Sequence, residues 1–101
     1  MARREIIWSK NAEEEISQIL EFYTIRNKSA NYSKKLLTLF SDAIQRISVI
    51  PELGLPCENS PTRILIIKEY LVYYQFNEKT LYILNIRDNR QNPITAPFRK
   101  S

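Results

Sequence analysis

The sequence contains no histidine, one cysteine and one glycine, and each scarcity closes a class of chemistry. Without an imidazole there is no histidine general base, no Ser-His-Asp triad and no His-ligated zinc. The single cysteine, Cys57, excludes an intramolecular disulfide and any multi-cysteine metal site. The single glycine, Gly54, excludes the glycine-rich loops that cradle phosphates. Apolar runs are short as well. The basic start MARREIIWSK holds only Ile6-Ile7-Trp8, well below a signal-peptide core, and nothing approaches the roughly 20 apolar residues of a membrane span. Cys57, between Pro56 and Glu58, reads as a free thiol in a reducing cytosol, with no base beside it to make it a nucleophile. The expectation is a cytoplasmic protein without membrane contact, metal or cofactor.

What is present is ordinary globular composition: 101 residues, 44% hydrophobic and 26% charged, with a formal charge of +4. That length makes one domain, 1–101, with 94–101 expected as a flexible tail. Residues 4–8 read as a strand. Asn11 followed by Glu14 has capping-box spacing, with Ser9 as the alternative cap, and Glu13, Glu14 and Glu15 suit a helix N-terminus. Ala12, Ile16, Ile19, Leu20 and Tyr23 then form one helical stripe, which breaks at Asn27-Lys28-Ser29. A second stripe, Tyr32, Leu36, Leu39, Phe40, Ala43, Ile44, Ile47 and Ile50, predicts a helix from about Ala30 to Ile50, stopped by Pro51. The short link makes the pair an antiparallel helical hairpin. Residues 51–62 hold three of the five prolines and read as a loop. Three β-rich runs follow, Arg63–Lys68, Leu71–Phe76 and Thr80–Arg87, separated by Glu69-Tyr70 and Asn77-Glu78-Lys79. The predicted fold is α+β, in β-α-α-β-β-β order, with the helices on one face of an antiparallel sheet.

Strand alternation places Val72, Tyr74 and Phe76 toward the helices and Leu71, Tyr73 and Gln75 away from them. The first meander strand is apolar on both sides, with Ile64 and Ile66 on one and Leu65 and Ile67 on the other. A half-covered antiparallel sheet alternates apolar and polar more cleanly. Something therefore covers the second face: the loop, the C-terminal tail or a partner chain. Charge is uneven too. Residues 85–101 carry net +3, and residues 11–28 net −2. Arg87 and Arg90 straddle the end of the last strand, where fixed guanidinium groups suit carboxylate or phosphate recognition.

Ile7-Trp8-Ser9 leading to Ala12, two long helices, Pro51-Glu52-Leu53-Gly54, Arg63-Ile64-Leu65, Tyr70-Leu71-Val72-Tyr73-Tyr74, Ile83-Leu84-Asn85-Ile86 and Asp88-Asn89-Arg90-Gln91-Asn92-Pro93 together resemble the RelE/ParE superfamily of type II toxin–antitoxin toxins. The resemblance spans roughly residues 5–94. It implies a bacterial toxin, of the kind associated with plasmid stabilization and growth arrest, neutralised by a cognate antitoxin wrapped around it in a hetero-oligomer. Ile64, Ile66 and Leu71 are the antitoxin-binding candidates. In the RelE-like ribosome-dependent mRNA endonucleases, basic side chains on the open sheet face stabilise the phosphate and activate the 2′-hydroxyl. Aligned with that pattern, the lysine positions fall on Ile64 and Ile66 and an arginine position on Leu71; only Arg90 matches. The ParE-like branch lacks nuclease residues, carries a longer helical hairpin and inhibits DNA gyrase by binding. The resemblance therefore favours a ParE-like gyrase inhibitor, with Tyr73, Arg87 and Arg90 as target contacts. The alternatives are an endoribonuclease acting on the ribosome and mRNA through Arg63, Lys68, Tyr74 and Arg90, or an inactivated toxin kept as an interaction module.

Overall fold

A computed structural model describes residues 3–90. The Asn92-Pro93 end of the resemblance, the basic Arg99-Lys100 pair and the expected 94–101 tail lie outside the described residues. Strand β1 (Glu5–Trp8) leads into α1 (Lys10–Asn27) and α2 (Asn31–Val49). After a 3-10 turn at Pro51–Leu53 come β2 (Leu55–Pro56), β3 (Arg63–Ile67), β4 (Tyr70–Phe76) and β5 (Thr80–Asp88). The helices follow from their stripes. Ala12, Ile16 and Tyr23 of α1, and Leu36, Phe40, Ala43, Ile44 and Ile47 of α2, are buried against the sheet. The cap of α1 is Ser9, whose Oγ accepts the Ala12 N–H at 3.0 Å, so the Asn11 box is not the one used. Lys28 ends α1 in the left-handed region at φ 53°, and the amides of Lys28 and Ser29 return to Ile25 and Thr24. Leu39 and Ile50 are exposed, because Leu39 lies at the margin of the α2 stripe and Ile50 just past the helix end.

The sheet runs β1-β5-β4-β3-β2. It is mixed and not wholly antiparallel: β1 pairs parallel to β5, Glu5 with Thr80 through Trp8 with Ile83. That pairing lets the chain leave the sheet halfway along β5 and start α1 at once, the Ser9 amide donating to Ile83 O at 2.9 Å. The segment expected as plain loop adds a fifth strand, β2, pairing Leu55 with Ile64 and Pro56 with Arg63. Its proline is tolerated because β2 is an edge. The β3–β4 turn is Lys68-Glu69, one residue earlier than the expected Glu69-Tyr70, because Ile67 pairs with Tyr70. Lys68 there holds φ 55°.

Tyr70, Val72 and Tyr74 face the helices, as alternation requires, with Phe76 packed beside them. Along β5 the alternation is interrupted. Tyr73 pairs with Asn85 but Tyr74 pairs with Ile83, so Leu84 is an extra residue, a β-bulge. Without it Asn85 would follow Leu81 and Ile83 inward. With it Ile86 is the buried residue, while Asn85 and Arg87 stand opposite Tyr73 and Leu71 on the far face.

That far face is covered in part. Cys57, carried by the loop after β2, packs on Ile64 and Leu71, with Tyr73 alongside. Ile66 is left outside this small second core, 51% exposed.

Candidate functional site

The C-terminal half of β5 extends past β1, which stops at Ile83, so its outer edge turns to α1. Ser9 Oγ donates to Leu84 O at 2.7 Å, and Glu15 accepts the Ile86 N–H at 2.7 Å. The same carboxylate takes a weak bond from Asn85 Nδ2 and lies 3.7 Å from Arg87 Nε. Helix-dipole complementarity accounts for Glu13, in the first turn of α1. Glu15 does more, since it closes a sheet edge and receives the arginine of the bulged strand. No local signal marks that role, because its partners lie about 70 residues away in the sequence.

Arg90 is held at the strand's end. Its Nε and Nη2 donate to both oxygens of Asp88, at 3.1 and 2.9 Å, and Nη2 also lies 3.7 Å from Glu69. The hydrogen bonds from Arg90 hold the Asp88 carboxyl below its ordinary pKa, and the paired guanidinium is raised in turn. Glu69 accepts from Tyr23 Oη at 3.4 Å, and Tyr70 Oη donates to Tyr23 Oη at 3.3 Å. Burial, then the Tyr23 hydrogen bond, pushes the Tyr70 phenol well above its usual range. A cleft of about 430 Å³ lies between α1 and these strand ends, walled by Ile19, Phe22, Arg26, Tyr70, Arg87 and Arg90. Each arginine of the strand end is thus more than half exposed yet already engaged with a carboxylate.

The residues of the nucleolytic alternative do not meet. Arg63 and Tyr74 are paired across β3 and β4, where Arg63 Nη1 donates to Gly54 O at 2.8 Å. Tyr74 is wholly buried on the helix side, its hydroxyl donating to Pro51 O at 2.5 Å and accepting from Gly54 N at 2.9 Å. Lys68 and Arg90 lie at the opposite end of those strands. At roughly 3.3 Å per residue, Lys68 lies about 16 Å along the strand from Arg63. Of the three target-contact candidates, Tyr73 and Arg87 are neighbours and Arg90 stands further along. Arg87 pairs with Leu71, Tyr73 is its diagonal neighbour on the same face, and Arg90 follows at the strand's end. Burial raises the Tyr73 phenol above its ordinary value, and the nearby Arg87 charge partly offsets this. Of the antitoxin candidates, Ile64 and Leu71 are buried beneath Cys57 and only Ile66 is open to a partner as the fold stands. Among the described residues no cluster of His, Cys, Asp and Glu could hold a metal ion, and no helix is long and apolar enough to cross a membrane.

The model of a family described as the ParE toxin of the type II toxin-antitoxin system, parDE, matches residues 6–93. Among solved structures, a chain of the chromosomal ParDE TA system from P. aeruginosa is similar with a TM-score of 0.72 at 16% identity, over 85% of this chain and 96% of that one. A chain of the E. coli DinJ-YafQ toxin-antitoxin complex is also similar at 16% identity, over 94% of this chain and all of that one, with a TM-score of 0.49. No curated protein matches.

Proposed function

The chain belongs to the ParE toxin family of type II toxin–antitoxin systems, and on that premise we propose that it arrests growth by binding DNA gyrase and is neutralised by a cognate antitoxin. The observation that carries the gyrase reading over a nucleolytic one is the dispersal of the basic and tyrosyl groups. Phosphodiester cleavage through a 2′-hydroxyl needs a base, an acid and a phosphate-stabilising cation within hydrogen-bond reach of one phosphate. Here Arg63 and Tyr74 are committed to the backbone of residues 51–54 at one end of the sheet, while Lys68 and Arg90 stand at the other. The far face between them presents Ile64, Ile66 and Leu71.

A protein surface can be recognised without such convergence. Tyr73 offers a half-buried aromatic body with the exposed Arg87 guanidinium beside it, and Arg90 offers a second exposed guanidinium past the end of the strand, the residue types enriched at energetically dominant interface positions. The antitoxin is assigned to Ile66 and the apolar margin around it, with Ile64 and Leu71 flanking that patch on the same sheet face.

Purified toxin at micromolar concentration is expected to inhibit gyrase-catalysed supercoiling, and an equimolar antitoxin to relieve the inhibition. Arg87→Ala and Arg90→Ala should each weaken inhibition while leaving the circular dichroism spectrum unchanged. Undiminished supercoiling, together with transcript cleavage in a translating extract, is the result that overturns this reading. Normal growth on induction without antitoxin would show an inactivated toxin instead.

A further inference from the structure

A second concave surface lies away from the far face of the sheet, between the N-terminal half of α2 and the β3–β4 turn. It encloses about 500 Å³. Its floor is apolar, formed by the buried Leu36, the half-buried Tyr32 and Leu39, which is 41% exposed. Its rim is cationic: Lys34 and Lys35 from the helix and Lys68 from the turn, all exposed. No carboxylate lines it, and none of the three lysines takes part in the ion pairs of the described residues.

The placement of these lysines runs against local preference. The N-terminus of a helix favours anions and disfavours cations. In α1 that preference is met by the Ser9 cap and Glu13 in the first turn. In α2 the Ala30 cap makes no side-chain bond, Ser29 Oγ instead accepting the Asn31 N–H at 3.2 Å, the first turn has no acidic residue, and two lysines follow directly. Lys68 adds a third charge from a left-handed position, φ 55°, that glycine or asparagine ordinarily fills. Lysines gathered at one place against local preference, with no carboxylate among the described residues paired to them, mark a surface shaped for something outside the fold.

We propose that this groove docks an acidic peptide segment of a partner protein, with one large apolar side chain seated on Leu39 and the Tyr32 ring and flanking carboxylates on Lys34, Lys35 and Lys68. The floor holds a single aromatic, Tyr32, and no arginine lines the groove, which favours a peptide over a nucleic acid, whose bases call for several stacking aromatics and arginines. The positive rim selects carboxylates. The groove shares no lining residue with the cleft of Arg87 and Arg90, but Lys68 at its rim adjoins Glu69, the partner of Arg90, so Lys35→Glu is the reversal in which peptide binding and gyrase inhibition are read independently.

The test uses the full chain and a short fluorescent peptide carrying paired glutamates on both sides of a Leu-Phe anchor, read by anisotropy. The glutamate peptide should bind, weaken with added salt, and bind about ten-fold better than its glutamine counterpart. Lys35→Glu and Lys68→Glu should each weaken it about five-fold, the upper end for an exposed charge contact. Leu39→Ser should abolish binding with the helical spectrum intact. Equal binding of the glutamine peptide, or no effect of either lysine reversal, overturns the proposal. So does displacement of the peptide by a single-stranded oligonucleotide at lower concentration, which makes the ligand a nucleic acid. Self-association of the chain that is lost in Leu39→Ser overturns it as well, making the occupant a second copy.

Discussion

Replacing Tyr74 by phenylalanine removes one oxygen and almost no volume, yet it should cost a large share of the fold's stability. That oxygen joins the loop to the sheet: it donates to Pro51 O and accepts from Gly54 N, both inside the structure. Without it a buried carbonyl and a buried amide lose their partner. Leaving such a group unsatisfied costs about 1–3 kcal/mol, so with some relaxation the pair should cost about 2–4 kcal/mol. Against a total of roughly 5–15 kcal/mol, this lowers Tm by about 10–20 °C in a domain this size. Gly54→Ala probes the same contact from the other side. Gly54 has φ −75°, which alanine adopts readily, but its Cβ would overlap the Tyr74 phenol, coming within 2.8 Å of Cε1 and closer still to the hydroxyl. The glycine is there for room, not for backbone freedom. The double variant should therefore be less destabilised than the sum of the singles, by about 0.5–3 kcal/mol of coupling. Urea and thermal unfolding followed by circular dichroism supply all the values. A Tyr74→Phe loss under about 0.5 kcal/mol, or strict additivity with Gly54→Ala, would refute the assignment of Tyr74 as the tie of this loop.

Four further outcomes are expected. Burial raises the phenols of Tyr70, Tyr73 and Tyr74 above the usual value; stability from these groups is intact below the unfolded tyrosine pKa of about 10 and declines as pH rises beyond it. An absorbance titration should show those three of the six tyrosines ionising at higher pH than a free phenol, and six tyrosines all titrating as free phenols would contradict this. Asp88 is depressed by the hydrogen bonds of Arg90, so its contribution is present above about pH 4 and is lost as pH falls through the lowered value. Carboxyl-carbon NMR should find Asp88 back in the ordinary range in Arg90→Ala. Ile47→Asp or Leu36→Asp puts an unpaired charge at a fully buried position of α2, costing several kcal/mol, and a normal melting curve would show the helix faces misread. Ser9→Ala removes the α1 cap and the bond to Leu84 O; it should cost about 1–2 kcal/mol in urea unfolding.

Interactions of short range were legible in the sequence and those of long range were not. The 3.6-residue spacing of Leu36, Phe40, Ala43, Ile44 and Ile47, with Pro51 after it, was enough to place α2 and its buried face. Alternation in β4 correctly divided Val72, Tyr74 and Phe76 from Leu71 and Tyr73. The Leu84 bulge leaves no such mark, because a bulge is defined by the partner strand as well as its own residues. Yet that one inserted residue decides that Arg87 shares a face with Tyr73. The parallel pairing of β1 and the edge-closing bond of Glu15 are likewise contacts between distant segments. The doubly apolar β3 did signal correctly that its far face is covered. Ile64 and Leu71 meet Cys57 there, so the lone thiol is part of a small core, and burial raises it above its ordinary pKa.

The charge pattern has a different meaning in the folded chain from its meaning along the sequence. Arg87 and Arg90 are both paired with carboxylates, but with carboxylates of unlike origin. Arg90 is held chiefly by Asp88, two residues away, so the clamp forms wherever the strand end is formed. Arg87 faces Glu15 on α1, and the same carboxylate also holds the Ile86 amide. Exposed pairs of this kind are weak and readily exchanged, so an acidic partner can take over either guanidinium at little cost. Exchanging Arg87 leaves Glu15 on its backbone amide, with the sheet edge still closed. Exchanging Arg90 exposes Asp88 and Glu69 together, which places two negative charges beside the new contact. Arg87 is therefore the arginine that a partner can recruit against one carboxylate instead of two, and of the two substitutions Arg87→Ala should weaken target binding more.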